Sequence, residues 1–146
     1  MCPTNALAKA LMRHLLVSVK EAVVMDMEAG LEHLGRGTVR GVDVMLCVVE
    51  PRMQSIETAK RIKDLSTDLG VKAVLVVANK VKRDEDLTLI ERALVGSGMP
   101  IIASVPYDES MEQADMSRIA PLDYAPNSPA VKAVDTLKSG IISRYS

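Results

Sequence analysis

The fold is decided by the stretch VDVMLCVVEPRMQSIETAKRIKDLSTDLGVKAVLVVA, residues Val42 to Ala78. Its two apolar runs, Val42–Val49 and Val71–Ala78, have the length and content of buried strands. The first run is followed by Glu50-Pro51, and a proline cannot continue a central ladder. Between the runs, Arg52–Leu69 has apolar residues three or four positions apart and is followed by a glycine, which predicts a helix. Strand, helix and strand at this spacing predict two parallel strands joined by a right-handed crossover.

The same alternation extends over the rest of the chain. It predicts strands at Glu21–Met25 and Pro100–Val105, helices at Asn5–Leu16, Asp84–Val95, Glu109–Ser117 and Pro129–Ile142, and an extended surface segment at Pro121–Pro129. The predicted fold class is therefore three-layer α/β/α with a mainly parallel sheet, in a single domain over residues 1–146.

Composition excludes several classes of protein. A chain of 146 residues with a formal charge of −1 is long enough for one core and lacks the excess positive charge of a nucleic-acid surface. No apolar run approaches the ~18 residues that span a bilayer, and the first residues lack the pattern of a secretory signal. The two cysteines, Cys2 and Cys47, cannot form a disulfide framework, so we expect a cytoplasmic protein without a membrane or nucleic-acid partner.

Asp26 ends an apolar run that predicts a buried strand, and a buried carboxylate needs a compensating cation or hydrogen bonds. In one interpretation it holds a magnesium ion through water. In the other it caps the following turn by accepting backbone N–H groups. Ala29-Gly30 favours the first, because a glycine just past the acid lets backbone N–H groups approach a phosphate.

Polar residues also follow the later predicted strands, and ligands of open parallel sheets collect beyond the carboxyl ends of the strands. Asn79 can donate to and accept from a purine edge, or it can simply form a turn. Pro106 and Tyr107 belong to a segment that could wrap a base with backbone groups. The nearest match to a phosphate loop, Gly30–Gly37, lacks the lysine and the hydroxyl, and its Glu32 would repel phosphate, so we reject it.

These segments, taken in order, resemble the MinD/ParA branch of the deviant-Walker P-loop ATPases, in particular the accessory ATPases that mature carbon monoxide dehydrogenase by helping to insert nickel. The resemblance rests on CP at Cys2-Pro3, DMEAGLEHLGRGT at Asp26–Thr38, VVEP at Val48–Pro51, VANKV at Val77–Val81, VPYDESMEQAD at Val105–Asp115 and PLDYAPNSPAV at Pro121–Val131. It implies an incomplete P-loop NTPase (SIMIBI-like) domain that corresponds to the C-terminal part of the family's length.

The resemblance also implies the roles of individual residues. Asp26 would assist the magnesium of bound ATP and Gly30 would face its γ-phosphate, while Asn79, Pro106 and Tyr107 would contact adenine. The family binds a metal between the two protomers of a homodimer through Cys-x-Cys-Pro. Only Cys2 of that pair is present here, so two thiolates per dimer fall short of the four that nickel or zinc would take in a tetrahedral site.

The function expected from the resemblance is that of an ATP-binding accessory ATPase whose partner is carbon monoxide dehydrogenase. The family hydrolyses ATP, but the phosphate loop GKGGxGKT is missing from this sequence, so we expect no hydrolysis by this chain alone. Two alternatives stay open: a noncatalytic α/β interaction module, and part of a cell-division or partition ATPase.

Overall fold

The computed structural model of the chain describes residues 23–27 and 42–145. In chain order the elements are β1 (Val44–Val49), α1 (Met53–Asp68), β2 (Ala73–Val81), α2 (Asp84–Leu94), β3 (Ile101–Pro106), α3 (Glu109–Ser117), α4 (Pro121–Tyr124) and α5 (Pro129–Tyr145). The strands form a parallel sheet in the order β1-β2-β3. The predicted α/β class with a parallel sheet is confirmed.

Helices cover both faces of this sheet. On one face α1 and α2 pack on β1 and β2 around Val49, Ile56, Val76 and Ile90. On the other face α5 packs on β3, in a second cluster that contains Val77, Val105 and Ala130. Residues Val74 to Ala78 of the central strand β2 are therefore all buried, as expected for a strand covered on both sides. The described elements form three layers.

Helix α1 shows why the decisive stretch folds as predicted. Its buried residues Ile56, Ala59, Ile62 and Ser66 recur every three or four positions and face the sheet. Ser66 is fully buried, yet its hydroxyl donates to the Ile62 carbonyl oxygen at 2.6 Å, so its polar group stays satisfied. The periodic apolar face, rather than capping, holds this helix on the sheet, because the N-cap Arg52 makes no side-chain capping bond.

The end of α1 is set by Gly70, which has a φ of +79°. Two hydrogen bonds close the helix there: the Gly70 N–H donates to Thr67 O at 3.1 Å, and the Val71 N–H donates to Ser66 O at 3.0 Å. This pair of bonds is the Schellman motif, which needs a left-handed residue at that position. The glycine thus turns the chain directly from α1 into β2.

Most predicted boundaries agree with the structure to within three residues, but the predicted strand Glu21–Met25 does not. Residues 23–27 form no strand, and Val24 is 92% exposed. That prediction is wrong over residues 23–25, because an apolar run becomes a strand only when a neighbouring strand pairs with it. The predicted helix Asn5–Leu16 and residues 21–22 lie outside the described residues.

The segment Pro121–Pro129 also differs from its prediction as an extended stretch. Its first four residues form the short helix α4, in which Pro121 occupies the first turn. Proline suits that position, because its fixed φ matches a helix and its missing N–H would have no partner in the first turn. Pro121 therefore starts a helix here instead of preventing one.

Candidate functional site

The carboxyl ends of the three parallel strands lie at the same edge of the sheet, and their following residues form one polar rim. We define the rim by three segments: Glu50–Arg52 after β1, Asn79–Lys82 at the end of β2, and Pro106–Asp108 at the end of β3. The sequence predicted a common rim from the parallel order alone, and the contacts described below join its three segments.

An ion pair connects the first two segments. Lys80 Nζ lies 2.8 Å from Glu50 Oε1, and the Arg52 guanidinium donates to the other carboxylate oxygen. Glu50 is half-buried, whereas both cations are largely exposed. Two cations share one carboxylate, so the cluster keeps an excess of positive charge at the rim that would attract an anionic ligand.

Asn79 lies inside β2, not at its end, because the strand continues to Val81. The pairing with β3 is irregular between Ala78 and Val81, and Lys80 adopts a left-handed conformation with φ +56°. This bulge interrupts the regular alternation of side chains at Asn79, which is half-buried. The predicted end of the strand at Ala78 is therefore three residues too early, since a local irregularity does not stop the pairing.

Tyr107 is half-buried at the end of β3, and its N–H donates to Val81 O at 2.9 Å, so that donor is unavailable to a ligand. Lys82 Nζ lies 4.0 Å from the centre of the Tyr107 ring, a cation–π contact. The phenol donates to Glu112 Oε1 at 3.1 Å, and this hydrogen bond raises the pKa of Tyr107. The ring and the backbone carbonyls, rather than the Tyr107 N–H, are what this segment can offer to a base.

Asp108 holds two helices together at the rim. Its carboxylate accepts from the Ser110 N–H at 3.0 Å, the Ser110 hydroxyl at 2.6 Å and the Ala130 N–H at 3.1 Å. The Ser110 hydroxyl, followed by the Ala130 N–H, lowers the pKa of Asp108 to about 2. One carboxylate thus caps the N-termini of both α3 and α5. Sequence reasoning missed this role, although an acid two residues before a serine at a helix start is a capping pattern.

Of the other predicted site residues the structure describes Asp26, which takes no part in the rim contacts given above. Asp26 is exposed in a segment without regular structure, and the contacts that build the rim come from other residues. Gly30 and Cys2 lie outside the described residues. The structure therefore brings together Asn79, Pro106 and Tyr107, while Asp26 lies apart from these contacts.

A magnesium ion in a nucleotide site takes one or two carboxylates and completes its shell with phosphate oxygens and water. Asp26 is an accessible carboxylate and fits that need as a single protein ligand. Within residues 23–27 and 42–145 no three His, Cys, Asp or Glu side chains are grouped to hold a metal ion. The described residues fit a metal bound mainly by its nucleotide and not a dedicated metal cage.

None of the described helices is both long and apolar enough to cross a membrane.

Comparison with known proteins gives two kinds of match. The chain is 40% identical over 126 residues to the carbon monoxide dehydrogenase accessory protein CooC of Rhodospirillum rubrum. The matched region covers 86% of this chain and 47% of that protein. It is 44% identical over 115 residues to an uncharacterized ATP-binding protein of Methanocaldococcus jannaschii, covering 78% and 44% of the two. From these coverages, the chain spans about half the length of the two relatives. No protein-family model matches the chain.

Solved structures support the fold. A ParA family ATPase from Chlorobium tepidum superposes with a TM-score of 0.68 at 23% identity, over 84% of this chain and 51% of that one. The MinD cell division protein of Aquifex aeolicus gives a TM-score of 0.55 at 22% identity, over 66% and 42%. We conclude that the chain has the α/β fold of the MinD/ParA-type ATPases and corresponds in sequence to a portion of a CooC-like member of that group.

Proposed function

We propose that this chain supplies the base-binding side of the nucleotide site of a CooC-like accessory ATPase, which acts in the cytoplasm in nickel insertion into carbon monoxide dehydrogenase. The observation that carries the proposal is the 40% identity to the accessory protein of Rhodospirillum rubrum. The rim adds support, because Asn79 and Pro106 lie in the last residues of the neighbouring parallel strands β2 and β3, and Tyr107 directly follows β3.

In this proposal each rim residue has a separate task. The Asn79 amide, which can donate and accept at once, reads the edge of adenine. Pro106 and the Tyr107 ring bound the base from the neighbouring strand end. The excess positive charge beside Glu50 attracts the phosphates. Asp26 and Gly30 serve magnesium and the γ-phosphate, as in the family that the sequence resembles.

Hydrolysis needs a phosphate loop, which cradles the phosphates with backbone N–H groups and a lysine. The 146 residues contain no such loop, so this chain on its own should bind nucleotide weakly and should not hydrolyse it. A loop supplied by the part of the relatives' length that this chain does not match would complete the site.

The test measures binding of a fluorescent ATP analogue with Mg²⁺, first to this chain and then to its mixture with the loop-bearing half of the Rhodospirillum rubrum relative. We expect Asn79→Ala to weaken binding of the adenine nucleotide by about 10-fold in the mixture, a typical cost of one lost polar contact. Gln54→Ala, an exposed change in the first turn of α1, is the control and should have no effect. Equal affinity for adenine and guanine nucleotides, unchanged by Asn79→Ala, would contradict the assignment.

Metal binding through Cys2 is the second part of the proposal. A homodimer would bring two Cys2 thiolates together, and two thiolates hold a soft metal less tightly than four. Titration of the chain with Zn²⁺ or Ni²⁺ should give weak binding that Cys2→Ser abolishes, with a stoichiometry of one metal per dimer. Binding that survives Cys2→Ser would place the metal elsewhere.

A further inference from the structure

A run of ten consecutive exposed residues, 115–124, lies beyond β3 and spans the end of α3, the following turn and α4. Four large apolar side chains of this run are open to solvent: Met116 (84% exposed), Leu122 (69%), Ile119 (45%) and Tyr124 (40%). We call these four residues the α3–α4 patch. Apolar side chains gathered in this way on a surface are typical of sites of protein–protein contact.

The patch is attached to the rest of the fold from one side only. Helix α3 is anchored by Ala114, which is buried, and by Met111, which packs on the core cluster beneath α5. Helix α4 has no buried residue of its own. It lies against α3, where the Tyr124 hydroxyl donates to Gln113 Oε1 at 3.4 Å. Gln113 and Met116 are three positions apart and share a face of α3, so this contact places α4 beside Met116.

Acidic side chains accompany the patch. Residues 109–124 contain one cation, Arg118, and four carboxylates, those of Glu109, Glu112, Asp115 and Asp123, all of them exposed. The whole chain, in comparison, has a formal charge of only −1. None of the four carboxylates forms an ion pair with a residue of the described ranges 23–27 and 42–145. Their negative field therefore acts outwards and favours a cationic partner.

The patch and the rim have opposite charge. The rim carries an excess of positive charge, from Lys80 and Arg52 around Glu50 and from Lys82 over the Tyr107 ring. An anionic ligand is attracted to the rim and repelled by the acids of α3 and α4. The patch is therefore a separate surface, and the phosphates of nucleic acid or of an anionic membrane do not suit it. What suits it is a protein surface that is apolar and basic.

One hydrogen bond connects this surface to the rim. The Tyr107 hydroxyl donates to Glu112 Oε1 at 3.1 Å. Glu112 is exposed and lies one helical turn from Met116, on the same face of α3. A lysine or arginine of a docked protein that approached Glu112 would compete with the phenol for this carboxylate. Docking at the patch would thus reach Tyr107, the residue proposed above to bound the adenine base.

We propose that the α3–α4 patch is the docking surface for the partner enzyme, carbon monoxide dehydrogenase, which meets it with an apolar area bordered by lysine or arginine side chains. This inference rests on the proposed function, in which that enzyme is the partner. Charge complementarity determines the kind of surface that fits, and the Tyr107–Glu112 hydrogen bond gives docking a route to the nucleotide site. Met116 and Tyr124 belong to the residue types that are enriched in protein interfaces.

The first experiment measures binding of this chain, without nucleotide, to nickel-free carbon monoxide dehydrogenase of Rhodospirillum rubrum by calorimetry. We expect Met116→Ala combined with Leu122→Ala to weaken binding by about 30-fold or more, because two large apolar contacts are lost. Val95→Ala is the matched control: Val95 is 81% exposed after α2 and its truncation should change the affinity by less than about 2-fold. No binding by the wild type, or equal binding by the wild type and the double variant, would refute the docking surface.

Charge reversal tests the sign of the partner surface. Asp115→Lys and Asp123→Lys should each weaken binding by about 5-fold at low salt and by less at high salt, since salt screens exposed charges. Arg118→Glu should strengthen binding, because it removes the one positive charge of the segment. Asp64→Lys, an exposed acid on α1, is the control and should have no effect. Effects of the opposite sign would mean an acidic partner surface and would overturn the proposal.

Three further results separate this inference from its alternatives. A homodimer of the chain that the double alanine variant dissociates would assign the patch to a second copy and refute the proposal. A chain that binds the enzyme through the patch but does not bind the fluorescent ATP analogue confirms the surface and refutes the nucleotide role. Binding of the analogue, together with enzyme binding that none of the patch variants changes, supports the nucleotide role and refutes the surface.

Discussion

Replacing Gly70 by alanine tests the turn that joins α1 to β2, and the expected change in the free energy of unfolding can be worked out from the structure. Gly70 has a φ of +79°, and a β-carbon built there meets no atom within 4 Å. The added methyl group therefore makes no clash with its surroundings. The expected cost is that of holding an alanine in the left-handed conformation, about 1–2 kcal/mol. The lower entropy of the unfolded chain offsets about 0.4–1 kcal/mol of this cost. We expect Gly70→Ala to lower the free energy of unfolding by about 1 kcal/mol.

Gly140→Ala is the matched control for this change. Gly140 lies within α5, has no positive φ, and also meets no atom within 4 Å. The same substitution should there raise the free energy of unfolding by about 0.5–1 kcal/mol, since alanine favours a helix. Urea unfolding followed by circular dichroism measures both variants. Changes of the same sign in the two variants would refute the reasoning, because only the backbone conformation distinguishes the sites.

The remaining predictions concern the core and the rim. Ile56→Ala removes a fully buried side chain between α1 and the sheet. It should lower the free energy of unfolding, measured in urea, by about 3–4 kcal/mol, compared with about 1 kcal/mol for Ile56→Val. The pKa of Asp108 is about 2 in the folded chain and 3.8 as its ordinary value, so this group stabilises the fold above pH 3.8 and its contribution disappears as the pH falls to 2. Asp108→Asn should therefore lower the free energy of unfolding at neutral pH. In acid unfolding, the free energy of unfolding of this variant should depend less on pH between 3.8 and 2 than that of the wild type. Glu112→Ala, which removes the acceptor of the phenol hydrogen bond, should bring the raised pKa of Tyr107 back towards its ordinary value, as followed by ultraviolet titration. An unchanged value would show that Glu112 is not the cause.

The rim also shows where sequence reasoning succeeded and where it did not. Asn79, Pro106 and Tyr107 were predicted to lie at one edge of a parallel sheet, and the structure has them at the carboxyl ends of the neighbouring strands β2 and β3. The pairing of Lys80 with Glu50 was not predicted, because it depends on the bulge that gives Lys80 its left-handed backbone. Such a bulge results from the register between two strands, which no local pattern encodes.

The amino-acid sequence by itself determined the order and type of the elements from Val42 to Tyr145, except for the short helix α4. Apolar periodicity, and the glycines or prolines that end an element, act over a few neighbouring residues. Only the tertiary structure decided which strand edge stays open, that Val24 is exposed instead of paired, and that Leu46 and Val48 lie uncovered beside α5. These features depend on contacts between residues far apart in the chain. An apolar residue carries the same preference for burial in every strand, and whether it is buried depends on which element is available to cover it.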